Sequence, residues 1–306
     1  MATYLVLDTN ALPQKGILQS AFWSLLFRLC ALKEIRPSIS EVTLHEAVNL
    51  RRETADKLLS TFVSSNSQLS QMTTMDAIYT PSGTEVAKVL EDRLNEVFEI
   101  LPLGGEHARE AFRREARRVL PARLGKGGRD SAIWLTVAAL ANEGHKVFFV
   151  TNNSKDFGTT GLFAGLLAEV ASAEHPVTYL DSTNSFVDAI ATKVDLPDPP
   201  DQSLADAFDL SIRSEFIEFL DDKDSAEYTV ERVWNARLIV AESRIGQGYV
   251  IDDGGLAQVR ASVALADASG AEWATAKIDG WLNFEPHTFA ANESDSSLSD
   301  FELKFQ

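Results

Sequence analysis

The chain has 306 residues, 45% hydrophobic and 24% charged, with ten prolines and seventeen glycines, the make-up of a globular protein long enough for one to three domains. A single cysteine excludes an internal disulfide and a CxxC zinc site, five scattered histidines exclude a His-rich metal centre, and no apolar stretch reaches the roughly 20 residues that span a bilayer. The net charge of −17 does not exclude a polyanionic partner, because it is unevenly spread: residues 201–306 hold eight basic against 21 acidic residues, a net −13.

In chain order, TYLVLDTN (residues 3–10) is an apolar, β-branched run closing on polar residues, which predicts a short buried strand. Residues 17–34 read as a helix with Cys30 in its packed face, and EIRPSIS (34–40) as a second strand. A helix follows from Ser40, with Ser40 as N-cap and Thr43 opening a T-x-x-E box with Glu46. EVAKVLEDRLNEVFEIL (85–101) predicts an amphipathic helix and HAREAFRREARRVLP (107–121) a strongly basic one. GKGG (125–128) is a joint before the helix RDSAIWLTVAALANEG, in which Trp134 is a core position. KVFFVTN (146–152) and PVTYLDST (176–183) are further strands, and a helix is expected over about 183–193.

This alternation predicts an α/β fold, a three-layer α/β/α sandwich with a central parallel sheet. DLPDPPDQS (195–203) reads as a linker. Beyond it lie a helix over 203–221 and the segments YTVERVWNARLIVAE, GYVIDD, AQVRASVALAD and EWATAKIDGWLNF, separated by the turn signals DDGG and DASG. They predict a small α+β or mainly antiparallel β unit.

In an open α/β sheet, ligands bind outside the carboxyl ends of the strands. Asp8 ends the first strand, Glu46 lies in the helix after the second, Asp130 opens the helix after GKGGR, and Asp156 follows the strand VFFVTN. Asp181 lies after VTYL and reads as a cap of its own helix. Four carboxylates without His or Cys form a hard-oxygen set suited to Mg²⁺ or Mn²⁺, the ions of phosphoryl chemistry. A dehalogenase-like phosphatase needs a second acid two residues after the first, where Asn10 stands, and no GxxxxGK[ST] phosphate loop is present.

Together, DTNAL after an apolar strand, the glutamate on the helix after strand two, RDSAIW opening a helix and VTNNSKDF after a strand resemble a PIN domain over roughly residues 3–195. The resemblance implies a metal-dependent ribonuclease for single-stranded RNA, with Asp8, Glu46, Asp130 and Asp156 as catalytic, metal-binding acids on Mg²⁺ or Mn²⁺. It implies Asn10, Thr151 and Asn153 as polar supports. Two departures stand out: a long helical insertion at about 54–125, and Asn152 and Asn153 where acids are sometimes found. The expected organisation is a nuclease domain 1–195, a linker 196–203 and an acidic domain 204–306 of unassigned role.

Residues 109–129 carry seven arginines and Lys126 against only Glu110 and Glu115. Lys126, Arg129, Arg113 and Arg117 are therefore expected to contact the RNA backbone, with salt-sensitive affinity. The alternative function is a catalytically silent RNA-binding or protein-interaction scaffold. The acidic C-terminal part leaves open a protein partner or an intramolecular contact with the arginines, and a homo-oligomer is equally open. With no basic, apolar leader at the start, a cytoplasmic location and no membrane partner are expected.

Overall fold

The computed structural model describes residues 1–14, 16–73, 79–196, 201–221, 229–251, 254–284 and 291–305. Residues 197–200 of the expected linker and 252–253 of the DDGG turn lie outside them. The chain divides into two compact units, Met1–Leu18 with Phe27–Phe186 and Gln19–Leu26 with Val187–Gln306. Among the described residues no helix is long and apolar enough to cross a membrane.

Up to residue 190 the elements are β1 (Thr3–Leu7), a 3-10 turn (Thr9–Ala11), α1 (Ala21–Leu32), β2 (Ile35–Ser40), α2 (Glu41–Ser70), α3 (Gly83–Val97), β3 (Glu99–Leu101), α4 (Gly105–Arg117), α5 (Gly128–Asn142), β4 (Lys146–Val150), α6 (Ser154–Phe157), α7 (Ala164–Glu169), β5 (Thr178–Leu180) and α8 (Thr183–Ile190). The strands form one five-stranded sheet, ordered β3-β2-β1-β4-β5 and parallel throughout. Tyr4 to Leu7 of the central strand are all buried, because a parallel strand covered on both faces needs an unbroken apolar run rather than an alternating one. On one face Tyr4, Val6 and Phe149 pack with Ile133, Trp134 and Val137 of α5. The alternate residue Phe148 meets Phe186 of α8 edge-on at 5.4 Å. This is the expected α/β/α sandwich.

Register places the site. Leu7 lies opposite both Ile39 and Val150, Ser40 opposite Leu101, and Val150 opposite Leu180. All five strands therefore end at one level, and the residues just beyond them line a single edge.

Local differences from the sequence reading have identifiable causes. α3 stops at Val97, and Phe98 turns extended into β3, a strand hidden in the helical reading of 85–101. Pairing of Glu99–Leu101 with Ser38–Ser40 overrides a weak local preference. The side chain of Ser40 accepts from Thr43 N at 3.0 Å, so Thr43 is the capped residue and opens no box with Glu46. A true capping box joins Ser82 and Glu85 at the start of α3. In the basic helix α4, Arg114 is buried; its Nη2 donates to Glu169 Oε2 at 2.8 Å, and Trp134 Nε1 donates to the same oxygen at 2.9 Å.

The remaining elements are β6 (Thr192–Val194), α9 (Asp201–Asp221), α10 (Val230–Asn235), β7 (Arg237–Ile251), β8 (Gly254–Ala266), β9 (Glu272–Phe284) and β10 (Ala291–Phe305). β6 to β10 form a second five-stranded sheet, each strand antiparallel to its neighbour in sequence. Phe208, Ile212 and Phe216 of α9 cluster with Val259, Val263 and Trp273 from alternate sheet positions. The buried Arg213 holds Asp209 through two 2.8 Å bonds and donates to the carbonyl oxygens of Val233, Trp234 and Ala236, closing the end of α10. The helix expected to reach Lys193 ends at Ile190, because Thr192–Val194 pairs with β7. Val230–Asn235, expected within a strand, forms helix α10, with Thr229 accepting from Arg232 N at 3.2 Å. β10 is a strand the sequence reading did not anticipate.

Candidate functional site

Asp8 is 1% exposed at the end of the central strand, so its carboxylate depends on partners within the protein. Thr9 N donates to Oδ1 at 2.7 Å, while Thr151 Oγ1 and Asn10 Nδ2 donate to Oδ2 at 2.6 and 3.3 Å. The β1–β4 register makes the Thr151 bond, because Asp8 N donates to Val150 O at 3.0 Å and Thr151 is the next residue. Burial outweighs these bonds and raises the Asp8 carboxyl above its usual range. Asn152 Nδ2 donates to Asn10 O at 3.2 Å, tying the two strand-end loops together.

Glu46 points back from α2 to the same edge. Thr9 Oγ1 donates to its Oε2 at 2.8 Å, and Arg129 Nη1 pairs with its Oε1. Asp130, in the first turn of α5, accepts from Asn153 Nδ2 at 3.0 Å. Its carboxyl is pushed up to about 6, chiefly by burial, then by the negative charges of Asp8, Asp156 and Glu46. The structure thus brings the four acids from four separate elements into one electrostatic neighbourhood, with Asn10, Thr151 and Asn153 bonded to two of them. Asp181 belongs elsewhere: its carboxylate takes the Ser185 hydroxyl at 2.6 Å at the start of α8.

Gly127 shapes the approach to Asp130. It has φ +103°, and a Cβ there would lie 2.8 Å from Asp130 Oδ2. Gly127→Ala is therefore expected to cost about 1–2 kcal/mol of stability through its left-handed backbone, visible as a lower urea midpoint with an unchanged slope. At the adjacent residue, Gly128 N donates to Glu115 Oε2 at 2.6 Å, which fixes the α4–α5 loop.

The basic residues divide into distinct settings. Arg129 is engaged with Glu46, Lys126 is exposed in the α4–α5 loop, Arg113 pairs with Glu110 at 3.4 Å, and Arg117 is exposed in the last turn of α4. Among the described residues, neither Arg113 nor Arg117 shares an ion pair or hydrogen bond with the four acids.

A family model for the PIN domain matches residues 5–157, half of the chain, and its span includes all four acids. The chain belongs to the PIN domain family. No curated protein and no solved structure matches it. The PIN domain is generally a nuclease-type fold, and its members usually employ divalent metals.

The donor set of this PIN domain suits such an ion in kind, being all carboxylate oxygen. As placed, the acids are close without being ligand-ready: among the described residues no group of three or more His, Cys, Asp or Glu side chains is arranged to hold a metal. Glu46 has one oxygen on Thr9 and the other on Arg129, and both Asp8 oxygens accept hydrogen bonds. The uncompensated repulsion on Asp130 is what a cation would relieve. Sequence reasoning missed Thr9, Glu115 and Gly127. Thr9 lies inside the DTN motif and Gly127 inside GKGG, whereas nothing near Glu115 marks its bond to Gly128.

Proposed function

We propose that this PIN domain is a metal-dependent ribonuclease that hydrolyses phosphodiester bonds of single-stranded RNA, with Asp8, Asp130, Asp156 and Glu46 holding Mg²⁺ or Mn²⁺. The observation that carries the reading is Asp130, whose carboxyl is held near 6 by burial and by three other acids at the carboxyl edge of a nuclease-type sheet. Such shifted acids in a cluster are a mark of functional sites. A bound ion supplies an acidified water and neutralises charge on the phosphoryl oxygens.

The chain's own groups do the positioning. Thr151, Thr9 and Asn10 fix the orientation of Asp8, and Asn153 fixes Asp130. Arg129 exchanges Glu46 for a phosphate oxygen when RNA arrives, freeing Glu46 to turn toward its fellow acids. Lys126, Arg113 and Arg117 extend the contact along the strand, without regard to sequence. In this reading the unit with the parallel sheet is the nuclease module, and the acidic C-terminal residues 204–306 form a module that binds a protein partner.

End-labelled single-stranded RNA incubated with Mg²⁺, Mn²⁺ or EDTA tests the proposal. Cleavage is expected with either ion and none with EDTA. A second reading, a silent RNA-binding scaffold, draws on the Glu46–Arg129 pair and the absence of a ligand-ready acid group among the described residues. It requires salt-sensitive RNA binding with no cleavage under any of the three conditions.

A further inference from the structure

Beside the acids, the 3-10 turn, α2 and α3 enclose a cavity of about 280 Å³. Its apolar wall comes from Leu12, Leu90 and Leu94, which are buried, and from Leu50, which is 47% exposed at the rim. Among the described residues Arg51 is the one charged residue that lines it, and its Nη2 donates to Gly16 O at 2.7 Å, which steadies the guanidinium at the edge. Thr9 also lines the cavity, and its hydroxyl donates to Glu46. The cavity and the acid cluster therefore share a wall, and α2 carries Glu46 to one and Arg51 to the other.

We propose that this cavity is a base-binding subsite, which takes one unstacked base of the RNA strand next to the phosphate under attack. The proposal rests on the ribonuclease reading. Three properties fit that occupant better than any other. Sites for drug-sized ligands run from roughly 300 to 1,000 Å³, so a cavity at this lower limit suits a single ring system rather than a whole cofactor. Leucine walls accept the faces of a flat ring, and a guanidinium offers in-plane N–H donors to the carbonyl and ring-nitrogen acceptors on its edge. The positive charge of Arg51 complements a ligand that carries a phosphate. Base recognition here would add selectivity to the sequence-blind phosphate contacts of the basic residues.

The test measures binding apart from cleavage. The full-length Asp130→Asn chain in Mg²⁺ is titrated into fluorescein-labelled single-stranded RNAs of one sequence, each with one abasic ribose at a different position. One position is expected to lose about tenfold in affinity, the scale of a single base contact, while its neighbours lose little. Adding Leu50→Ala or Arg51→Gln, both at accessible positions on α2, should erase that contrast, and Thr54→Trp should do so by filling the cavity. A flat abasic profile overturns the inference, as does a profile that none of these variants changes, even when the wild-type chain cleaves the same RNAs. Failure to bind any strand, with no cleavage by wild type, overturns the ribonuclease reading along with it.

Discussion

Asp8→Asn and Asp130→Asn are each expected to slow metal-dependent RNA cleavage by about a hundredfold or more. Even residues that merely support a metal ligand are typically worth about 10–100-fold, and these two are assigned to the ligand set itself. Asp8 leaves the least room for substitution, because three donors converge on its carboxylate. An amide there would turn an N–H toward Thr9 N, Asn10 or Thr151. Groups that work as a unit are not additive, so the double variant should be little slower than either single one. Asp181→Asn is the matched control: that acid is exposed, bonded to Ser185 and outside the cluster. Initial rates on end-labelled RNA decide the matter. Equal losses in all three single variants would mean that the acid cluster is not the reactive centre.

Metal-free stability should fall as pH rises from about 4 to about 6, and Asp130 is the cause. Its carboxyl titrates near 3.8 in the unfolded chain and near 6 in the folded one. Within that window the folded state binds more protons than the unfolded state, so stability is present below the unfolded value and is lost as pH passes through the folded one. After allowance for partial exposure, the loss is on the order of 2 kcal/mol. The raised carboxyl of Asp8 acts in the same direction. Glu85, Asp181 and Asp267 are lowered instead and act in the opposite sense, so the informative quantity is the difference between wild type and Asp130→Asn. Urea unfolding in EDTA at several pH values should give a decline in wild type that is flattened in the variant. At neutral pH, Mn²⁺ at a hundred times its dissociation constant should restore about 2.7 kcal/mol to wild type, and much less to Asp130→Asn. Parallel pH profiles for the two proteins would count against the cluster as the source of strain.

The edge that carries the acids was legible because two rules converge on it. An unbroken apolar run is a buried parallel strand, and parallel strands in a shared register end together; Tyr4–Leu7 and Val147–Val150 obey both. What escaped the sequence was decided by contacts across the fold. β3 is three residues fused to the end of a helix and exists only because β2 offers an open edge. β10 is rich in Ser and Asp, and pairing along β9 with Phe301 edge-on to Phe216 at 5.3 Å overrides that composition. A local T-x-x-E pattern made Glu46 look like half of a cap, yet its hydroxyl partner is Thr9, 37 residues away. The basic run is countable from sequence, but only the fold shows that Arg114 is spent on Glu169 while Arg129 faces an acid of the site.

The pairing of β1 with β4 also sets a clock. Asp8 and Thr151 are 143 residues apart, and a ribosome adds roughly 5–20 residues per second, so the first strand waits roughly 7–30 s for the partner that completes its carboxylate. The antiparallel strands β7 to β10 follow the opposite schedule, each meeting its neighbour almost as soon as it is made. With the acids supplied in the order 8, 46, 130 and 156, the last of the proposed set emerges only after the whole of β4 has been made. The proposed ribonuclease site therefore cannot assemble during the early elongation of its own chain.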